Sequence, residues 1–321
     1  MPLITKSTYP GSPWYQYNGH LQTIIPTTFR RVKDIYYERE RLELPDGDFL
    51  DLDWIDSGSR DLVILSHGLE GSSDRTYVKG MARFFHKQHW DVLAWNCRSC
   101  SGELNRNFKL YYHGDTEDIS QVIDHVLAQK NYKRIVLIGF SMGGNITLKY
   151  VGTRGKALPE PISHAIAFST PCDLKACTEV VESNKNRFYH NYFLNNLKAK
   201  IRLKAAQFPD RLDTEGLDDI KNWFEFDTRY SAPLNGLPDA AAFYYEASAK
   251  NFMSGTTIPT LIVNAENDPV LDKRSAPASL AKDHKHLFLE TPRSGGHVGF
   301  ALPRRKEYWS EVRAWNFCHA T

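Results

Sequence analysis

The sequence lacks both a long apolar run and a strong excess of charge of one sign. No hydrophobic stretch among the 321 residues approaches the roughly 18 residues that cross a bilayer. The first 20 residues contain neither the basic nor the apolar segment of a signal peptide. Lys and Arg number 40 and Asp and Glu 38, a net charge of +2, and no basic stripe carries interleaved aromatic residues. We therefore expect a soluble cytoplasmic protein with no integral membrane segment and no nucleic-acid partner.

Cysteine is also scarce, and the five cysteines form no even, regular disulfide framework, which favours a reducing compartment: Cys97, Cys100, Cys172, Cys177 and Cys318. Cys97 and Cys100 form a C-x-x-C pair. A redox or zinc role would need a helix N-terminus or a second ligand pair, and neither is evident. His and Asp residues show no metal-ligand spacing, and the phosphate-loop pattern G-x-x-x-x-G-K-[ST] is absent. The sequence therefore predicts no metal and no cofactor.

The N-terminal part of the chain has the pattern of a β-hairpin. Apolar and acidic residues alternate from Leu50 to Trp54, as in a strand with one buried face. The turn sequence Pro-Asp-Gly-Asp at 45–48 separates this segment from a second strand candidate at 39–44. We predict an antiparallel pair.

Short continuous apolar runs follow and alternate with helical segments. Such runs are typical of strands buried on both faces of a sheet, and they occur at 62–65, 92–95, 135–139, 165–168, 261–263 and 287–289. Apolar residues recur at helical spacing over 77–85 and 119–127, the second with Asp115 or Thr116 as its N-cap. The alternation predicts an α/β fold with a mainly parallel, doubly wound sheet.

One stretch, from residue 172 to 257, has no obvious core strand and is rich in helix formers and aromatic residues. A structureless loop of this length is improbable in a compact domain. We interpret 172–257 as a helical cap inserted into a core made of residues 1–171 and 258–321. The alternative is an ordinary helical layer packed on the sheet.

Residues Lys133–Tyr150, KRIVLIGFSMGGNITLKY, carry the strongest functional signal. An apolar strand, the pattern G-x-S-x-G and a helix-compatible segment form a nucleophile elbow, in which Ser141 occupies a sharp turn. Gly139 and Gly143 are expected because side chains there would collide with the neighbouring strand or helix. The turn presents the serine hydroxyl at a helix N-terminus, where the dipole favours negative charge.

A serine nucleophile needs a base, and the base needs an orienting acid. In elbow enzymes the chain order is serine, acid, histidine. Asp268 follows the strand candidate at 260–264 and is the predicted acid, with Glu266 and Asp272 as alternatives. Its other interpretation is a turn-forming aspartate before Pro269.

The predicted base is His297, in a glycine-flanked loop after the strand candidate at 285–290. His284, His286 and His113 fit this role less well.

Two backbone N–H groups are expected to hold the oxyanion of the tetrahedral intermediate. One belongs to Met142, directly after the nucleophile, and the other comes from the loop after an early strand. His67-Gly68-Leu69 follows the strand at 62–65, so we assign the second N–H to Leu69. His67 and Gly68 are expected to shape this turn.

Four motifs together resemble the YheT-like branch of the α/β-hydrolases: NGHLQTI at 18–24, HGLEG at 67–71, GFSMGGN at 139–145 and GGHVGF at 295–300. That branch is similar to eukaryotic abhydrolase-domain esterases and lipases and to yeast medium-chain ethanol acyltransferases. The resemblance implies the α/β-hydrolase fold and ester hydrolysis by Ser141, Asp268 and His297. One departure is Ser99, which stands where the branch has a glycine in an R-G-C-S-G loop.

These observations predict a serine hydrolase that cleaves carboxylic esters, such as short- to medium-chain acyl esters or acylglycerols, through an acyl-enzyme. Its partner would be a small-molecule ester. Two alternatives stay open: acyl transfer to a small alcohol by the same triad, and a non-catalytic small-molecule binder on the same scaffold.

Overall fold

A computed structural model describes residues 3–320, and nine strands of this part form one sheet in the order β1-β9-β8-β7-β6-β4-β5-β3-β2. The strands are β1 Leu3–Ile4, β2 Glu38–Glu43, β3 Phe49–Ile55, β4 Asp61–Ser66, β5 Asp91–Asn96, β6 Arg134–Phe140, β7 Ile162–Phe168, β8 Thr260–Val263 and β9 Leu287–Glu290. β2 pairs antiparallel with β3, and β3 pairs antiparallel with β5, whereas the other neighbours are parallel. The predicted hairpin and the mainly parallel sheet are both confirmed.

The helices lie between the strands along the chain. They are α1 Gly19–Phe29, α2 Thr76–His86, α3 Thr116–Gln129, α4 Met142–Arg154, α5 Leu174–Val181, α6 Arg187–Gln207, α7 Trp223–Phe226, α8 Ala232–Leu234, α9 Ala240–Ala247, α10 Ala278–Asp283 and α11 Trp309–Ala320. Within residues 3–320, no helix is both long and apolar enough to span a membrane.

Apolar side chains on the two faces of the sheet form separate core layers. Val63 and Val136 pack with α2 and α11 on one face, whereas Ile64 and Leu137 pack with α3 and α4 on the other. This two-sided burial explains the continuous apolar runs of β4 and β6, since both faces of each strand are covered. Burying each such side chain contributes about 1.5–3 kcal/mol.

The helix α3 forms as its sequence pattern predicts. Ile119, Val122, Ile123 and Val126 are fully buried along one face, and the side chain of Asp115 caps the first turn by accepting the N–H of Asp118.

Between β7 and β8 the chain forms helices α5 to α9 with short 3₁₀ turns and no strand of the sheet. Residues of this segment build an apolar cluster of their own, which includes Leu194, Leu197, Ile201, Trp223 and Phe226. Because α6 and its neighbours pack mainly on each other, the cluster needs no strand to bury its apolar faces.

Several elements were not predicted from the sequence. β1 has only two residues and pairs with β9, so its pattern is too short to recognise. α1 contains Pro26, which usually disfavours a helix interior, and its role depends on contacts with distant loops.

Candidate active site

Ser141 forms the sharp turn between β6 and α4. The strand ends at Phe140 and the helix begins at Met142, so one residue makes the change of direction. Its φ of 53° and ψ of −117° lie in a region that residues with a Cβ rarely adopt. The turn therefore places the Ser141 side chain at the carboxyl end of the parallel strands, beside the N-terminus of α4.

Two glycines permit this turn. A Cβ on Gly139 would lie 2.2 Å from the carbonyl oxygen of Gly143, and a Cβ on Gly143 would lie 2.3 Å from the carbonyl oxygen of Ser66. Both distances are far inside van der Waals contact, so any side chain would push α4 away from β6 or β4. The steric reason predicted for both glycines is confirmed.

The structure brings together Ser141, His297 and Asp268, which the sequence separates widely. His297 Nε2 lies 2.9 Å from Ser141 Oγ, and His297 Nδ1 lies 2.8 Å from Asp268 Oδ2. The Asp268 side chain is 1% exposed, and its second carboxylate oxygen accepts the N–H of Val270 at 2.8 Å. With the Nδ1 proton directed at the carboxylate, Nε2 can accept the proton of the serine hydroxyl. This is the hydrogen-bond order that an activated serine requires.

The alternative acids are placed elsewhere. Glu266 is exposed on the loop after β8. Asp272 accepts the N–H of Arg274 and pairs with its guanidinium at 2.7 Å. Of the three acidic candidates, only Asp268 contacts the His297 ring.

The loop that carries His297 is held by α1, a support that the sequence analysis missed. Thr23 Oγ1 accepts the N–H of His297 at 2.9 Å. Gln22 Oε1 accepts the N–H of Gly295 at 2.8 Å and the side-chain amide of Asn267 at 2.9 Å. The N-terminal segment therefore fixes the loops of the base and of the acid at once.

Close packing of α1 explains the first residues of the NGHLQTI segment. Asn18 caps the helix by accepting the N–H of Leu21 at 2.9 Å. A Cβ on Gly19 would lie 1.9 Å from the carbonyl oxygen of Asn267. The signal for this contact was present in the sequence as a motif, but no local pattern assigns it a partner.

The two candidate oxyanion amides lie next to Ser141. Met142 opens α4, so its N–H has no carbonyl partner within the helix. The N–H of Leu69 has no hydrogen-bond acceptor among residues 3–320. A Cβ on Gly68 would lie 3.2 Å from Ser141 Cβ, so the HGLEG loop passes directly beside the nucleophile. Both amides are thus available to a ligand atom at this point.

His67 stabilises the same loop by hydrogen bonds to backbone groups. Its Nε2 accepts the N–H of Cys97 at 3.0 Å, and its Nδ1 donates to the carbonyl oxygen of Gly68 at 2.8 Å. Burial lowers the pKa of His67 to about 4, so the ring is neutral and fixed in one tautomer. The prediction that His67 and Gly68 shape the turn agrees with these contacts.

Glu70, the residue after Leu69, is held by hydrogen bonds to its N–H, its carbonyl oxygen and its carboxylate. Its φ of 52° is unfavourable for a residue with a side chain. Arg75 donates to its carbonyl oxygen at 2.5 Å, and the hydroxyl of Tyr111 accepts its N–H at 3.1 Å and also binds its carboxylate. Lys200, from α6, donates to the carboxylate at 2.8 Å. The backbone around Leu69 is therefore held in part from the segment between β7 and β8.

Replacing Lys200 by methionine is expected to lower kcat of the predicted ester hydrolysis roughly 10- to 100-fold with little change in KM, because small misplacements of catalytic groups have effects of this size. Lys200 contacts Glu70, and we predict that through Glu70 it positions the candidate oxyanion amide of Leu69. The matched control is Lys204→Met, one helical turn later, whose amine donates to the carbonyl oxygens of Asn105 and Asn107 at 2.7 Å. Thermal unfolding measures the stability that both variants lose. An equal fall of kcat in both would contradict the positioning role.

The loop at 97–102 contains the departure from the family pattern. Ser99 adopts a φ of 62°, the left-handed region that glycine enters most easily. Its hydroxyl donates to Asn105 Oδ1 at 2.6 Å, which helps the serine to hold this conformation. Cys97 and Cys100 are free thiols, and burial raises the pKa of Cys100 to about 11. In the described part of the chain, no group of three or more His, Cys, Asp or Glu side chains is arranged to hold a metal ion.

Two cavities meet at Ser141 and His297. The inner cavity lies between the strand ends and helices α5 to α9, and its walls are mostly apolar. The outer cavity lies between α1 and the first turns of α6. Leu69, Phe193 and Val270 border both cavities. A substrate with its reacting carbon at Ser141 can therefore extend in two directions.

Comparison with known proteins agrees with this geometry. Residues 61–302 match the family model described as the alpha/beta hydrolase fold. The chain belongs to this family. It is 34% identical to "Putative esterase YheT" of Escherichia coli (strain K12) over 88% of this chain and 84% of that protein. It is 27% identical to "Phospholipase ABHD3" of Homo sapiens over 97% of this chain and 78% of that protein. The expected resemblance to the YheT-like α/β-hydrolases is confirmed.

Solved structures show the same fold. An esterase of Pyrococcus furiosus, Pf2001, superposes with a TM-score of 0.60 at 18% identity, covering 91% of this chain and 95% of that chain. An α/β-hydrolase of Penicillium, GrgF, superposes with a TM-score of 0.59 at 16% identity, covering 89% of this chain and 99% of that chain. At these identities, the structural similarity shows that the chain has the same fold as the two proteins and nothing about its substrate.

Proposed function

We propose that this α/β-hydrolase cleaves carboxylic esters, such as short- to medium-chain acyl esters or acylglycerols, through an acyl-enzyme on Ser141. The observation that carries the proposal is the continuous hydrogen-bond chain from Ser141 Oγ through the His297 ring to Asp268. Relatives of the chain are named as an esterase, a phospholipase and a monoacylglycerol lipase. These names share hydrolysis of an ester bond, which supports the same reaction class here.

The first half of the reaction forms the acyl-enzyme. His297 Nε2 takes the proton of Ser141 as its oxygen attacks the ester carbonyl carbon. The Asp268 carboxylate holds the ring by Nδ1–H and stabilises the imidazolium. When the tetrahedral intermediate collapses, the carbon–oxygen bond to the alcohol breaks, and His297 returns the proton to the leaving oxygen.

The second half releases the acid. A water molecule takes the place of the alcohol, and His297 accepts one of its protons as it attacks the acyl-enzyme. Collapse of the second intermediate breaks the bond to Ser141, whose oxygen regains the proton. In both halves the N–H groups of Leu69 and Met142 stabilise the negative oxygen.

The two cavities divide the substrate between them in this proposal. The inner cavity suits the acyl chain because its walls are apolar and include Leu174, Val181, Phe226 and Phe243. The outer cavity suits the alcohol part because its lining is more mixed and includes Thr27, Thr28 and Arg75. Residues 172–257 would then form the cap of a core made of 1–171 and 258–321, since α5 to α9 supply most of the inner wall.

Steady-state turnover of p-nitrophenyl esters tests the proposal. Acetyl, butanoyl, hexanoyl, octanoyl and decanoyl esters are compared at equal concentration, with the Ser141→Ala protein as background. We expect turnover above this background for a contiguous range of acyl lengths. Wild-type rates that equal those of the Ser141→Ala protein for every ester would contradict the proposal and favour a non-catalytic binder.

Acyl transfer to a small alcohol is the second candidate, and the outer cavity favours it. This space borders Ser141 and His297 and has room for an acceptor alcohol after the first alcohol has left. Product analysis with added ethanol or glycerol separates the candidates. Formation of the new ester in preference to the free acid would show transfer, whereas the free acid alone would show hydrolysis.

A further inference from the structure

A cluster of polar side chains interrupts the apolar wall of the inner cavity. Asp227, Ser231 and Thr178 line the cavity on the side of helices α5 to α9, whereas Ser141 lies on the side of the strand ends. The hydroxyls of Ser231 and Tyr244 lie near the Asp227 carboxyl, and Thr178 lies near the Tyr244 hydroxyl. Proposed ester hydrolysis needs none of these groups.

Asp227 is costly to bury and has no compensating cation. The residue is 3% exposed, and among residues 3–320 no Lys, Arg or His forms an ion pair with it within 4.0 Å. Burial raises the pKa of Asp227 to about 7, with Glu182 adding repulsion. A carboxyl without a cation in an apolar wall destabilises the fold, so packing alone does not explain the residue.

Two polar atoms of residues near this cluster in the sequence are buried without a hydrogen-bond partner in the described residues: Trp223 Nε1 and Asn235 Oδ1. Both residues line the inner cavity. Native structures leave few such atoms unsatisfied, and each one calls for an explanation. One is a donor and the other an acceptor, so together they match a group that both accepts and donates.

The backbone between these residues is itself unusual. Asp227–Ser231 forms a π-helical turn between α7 and α8. Turns of this kind are rare and occur often at functional sites. The turn shifts the register of the helix, and it carries Asp227 at its start and Ser231 at its end, the two residues that line the cavity.

We propose that the inner cavity binds an acyl chain that carries a hydroxyl group away from the ester. The hydroxyl accepts from Trp223 and donates to Asn235, beside the carboxyl of Asp227. The proposal rests on the proposed ester hydrolysis. A hydroxyl both donates and accepts, as the unpartnered atoms require. A carboxylate at this position would be repelled by Asp227 and Glu182, and a plain alkyl chain would leave the polar atoms unsatisfied.

Pairs of esters that differ only in the hydroxyl test the proposal. Each p-nitrophenyl hexanoate, octanoate, decanoate or dodecanoate is compared with its ω-hydroxy derivative, and kcat/KM is measured for both. For at least one length we expect a preference of about tenfold or more for the hydroxy ester, because sites built to bind a hydroxyl reject the analogue without it. The ω-amino ester of the same chain length tests whether the cluster binds a cation instead of a hydroxyl. A preference for the amino ester over the hydroxy ester would overturn the proposal.

Substitutions in the polar cluster test whether it causes the preference for hydroxy esters. Asp227→Leu and Asn235→Leu should each bring the ratio of kcat/KM values close to one, and the ratio cancels any loss of active protein. Asn235 is only half-buried, so its variant remains informative where Asp227→Leu does not fold. Asn184→Leu, an exposed residue of the same segment that does not line the cavity, is the matched control and should leave the ratio unchanged. Retention of the wild-type ratio in the Asn235→Leu protein, or its loss in the control, would overturn the proposal.

A binding measurement separates this proposal from the proposed reaction. The Ser141→Ala protein is titrated by calorimetry with decanoic acid and with ω-hydroxydecanoic acid. We expect about tenfold tighter binding of the hydroxy acid, and the difference should vanish on adding Asn235→Leu. Tighter binding without ester turnover would overturn the reaction alone. Turnover of plain esters with no hydroxyl preference in either assay would overturn the inference alone.

Discussion

Replacing Ser141 by alanine is expected to lower kcat for p-nitrophenyl esters by about 10⁵- to 10⁶-fold. The reaction then has no covalent route, and only the oxyanion amides and substrate binding remain. Because the serine and the histidine act as one unit, His297→Ala should be about as severe. The double variant should be no worse than either single variant.

Labelling with a fluorophosphonate probe provides the structural control for Ser141. Wild-type protein should be labelled at Ser141 and the alanine variant should not, while thermal unfolding shows that both are folded. Ser163→Ala is the matched control, since Ser163 lies at the start of β7, where its hydroxyl contacts the carbonyl oxygen of Ile135. Additive losses in the double variant would argue against a shared hydrogen-bond chain.

Replacing Asp268 by asparagine is expected to lower kcat by about 10⁴-fold while the fold is retained. The carboxylate accepts the Nδ1–H of His297, which leaves Nε2 free to accept the serine proton. An amide in its place can donate to Nδ1, so the ring adopts the other tautomer and Nε2 loses its role as base. Steady-state assays with the same p-nitrophenyl esters measure the loss of kcat directly.

The alternative acids supply the controls for this prediction. Glu266→Gln and Asp272→Asn each remove one carboxylate from the same loop without touching the His297 ring. Both should retain kcat within a few-fold of wild type. A larger loss in either variant than in Asp268→Asn would move the role of the acid to that residue.

Much of the fold was predictable because its signals are local. The apolar runs of β4 to β9 are continuous where both faces of the sheet are covered, and the stripe of α3 has the period of a helix. The turn at Ser141 was predictable because few sequences permit its backbone, and its two glycines show the steric reason.

The rest of the site depends on pairs of residues that no local pattern connects. Gln22 and Thr23 hold the His297 loop across more than 270 positions, and Lys200 reaches Glu70 across 130 positions. The polar cluster around Asp227 is similar, since an aspartate in a helical segment is expected at the surface. Its burial becomes visible only when α5, α7 and α9 pack together.

The contacts between α1 and the His297 loop join two segments that lie far apart in the sequence. Gln22 and Gly295 are 273 positions apart, so the ribosome must synthesise everything between them before they can meet. Contacts of such separation form slowly. We therefore expect nascent chains to acquire most of the sheet and the helices between β7 and β8 before they acquire an aligned imidazole, and chains that stop short of residue 295 to show no turnover of the proposed ester substrates.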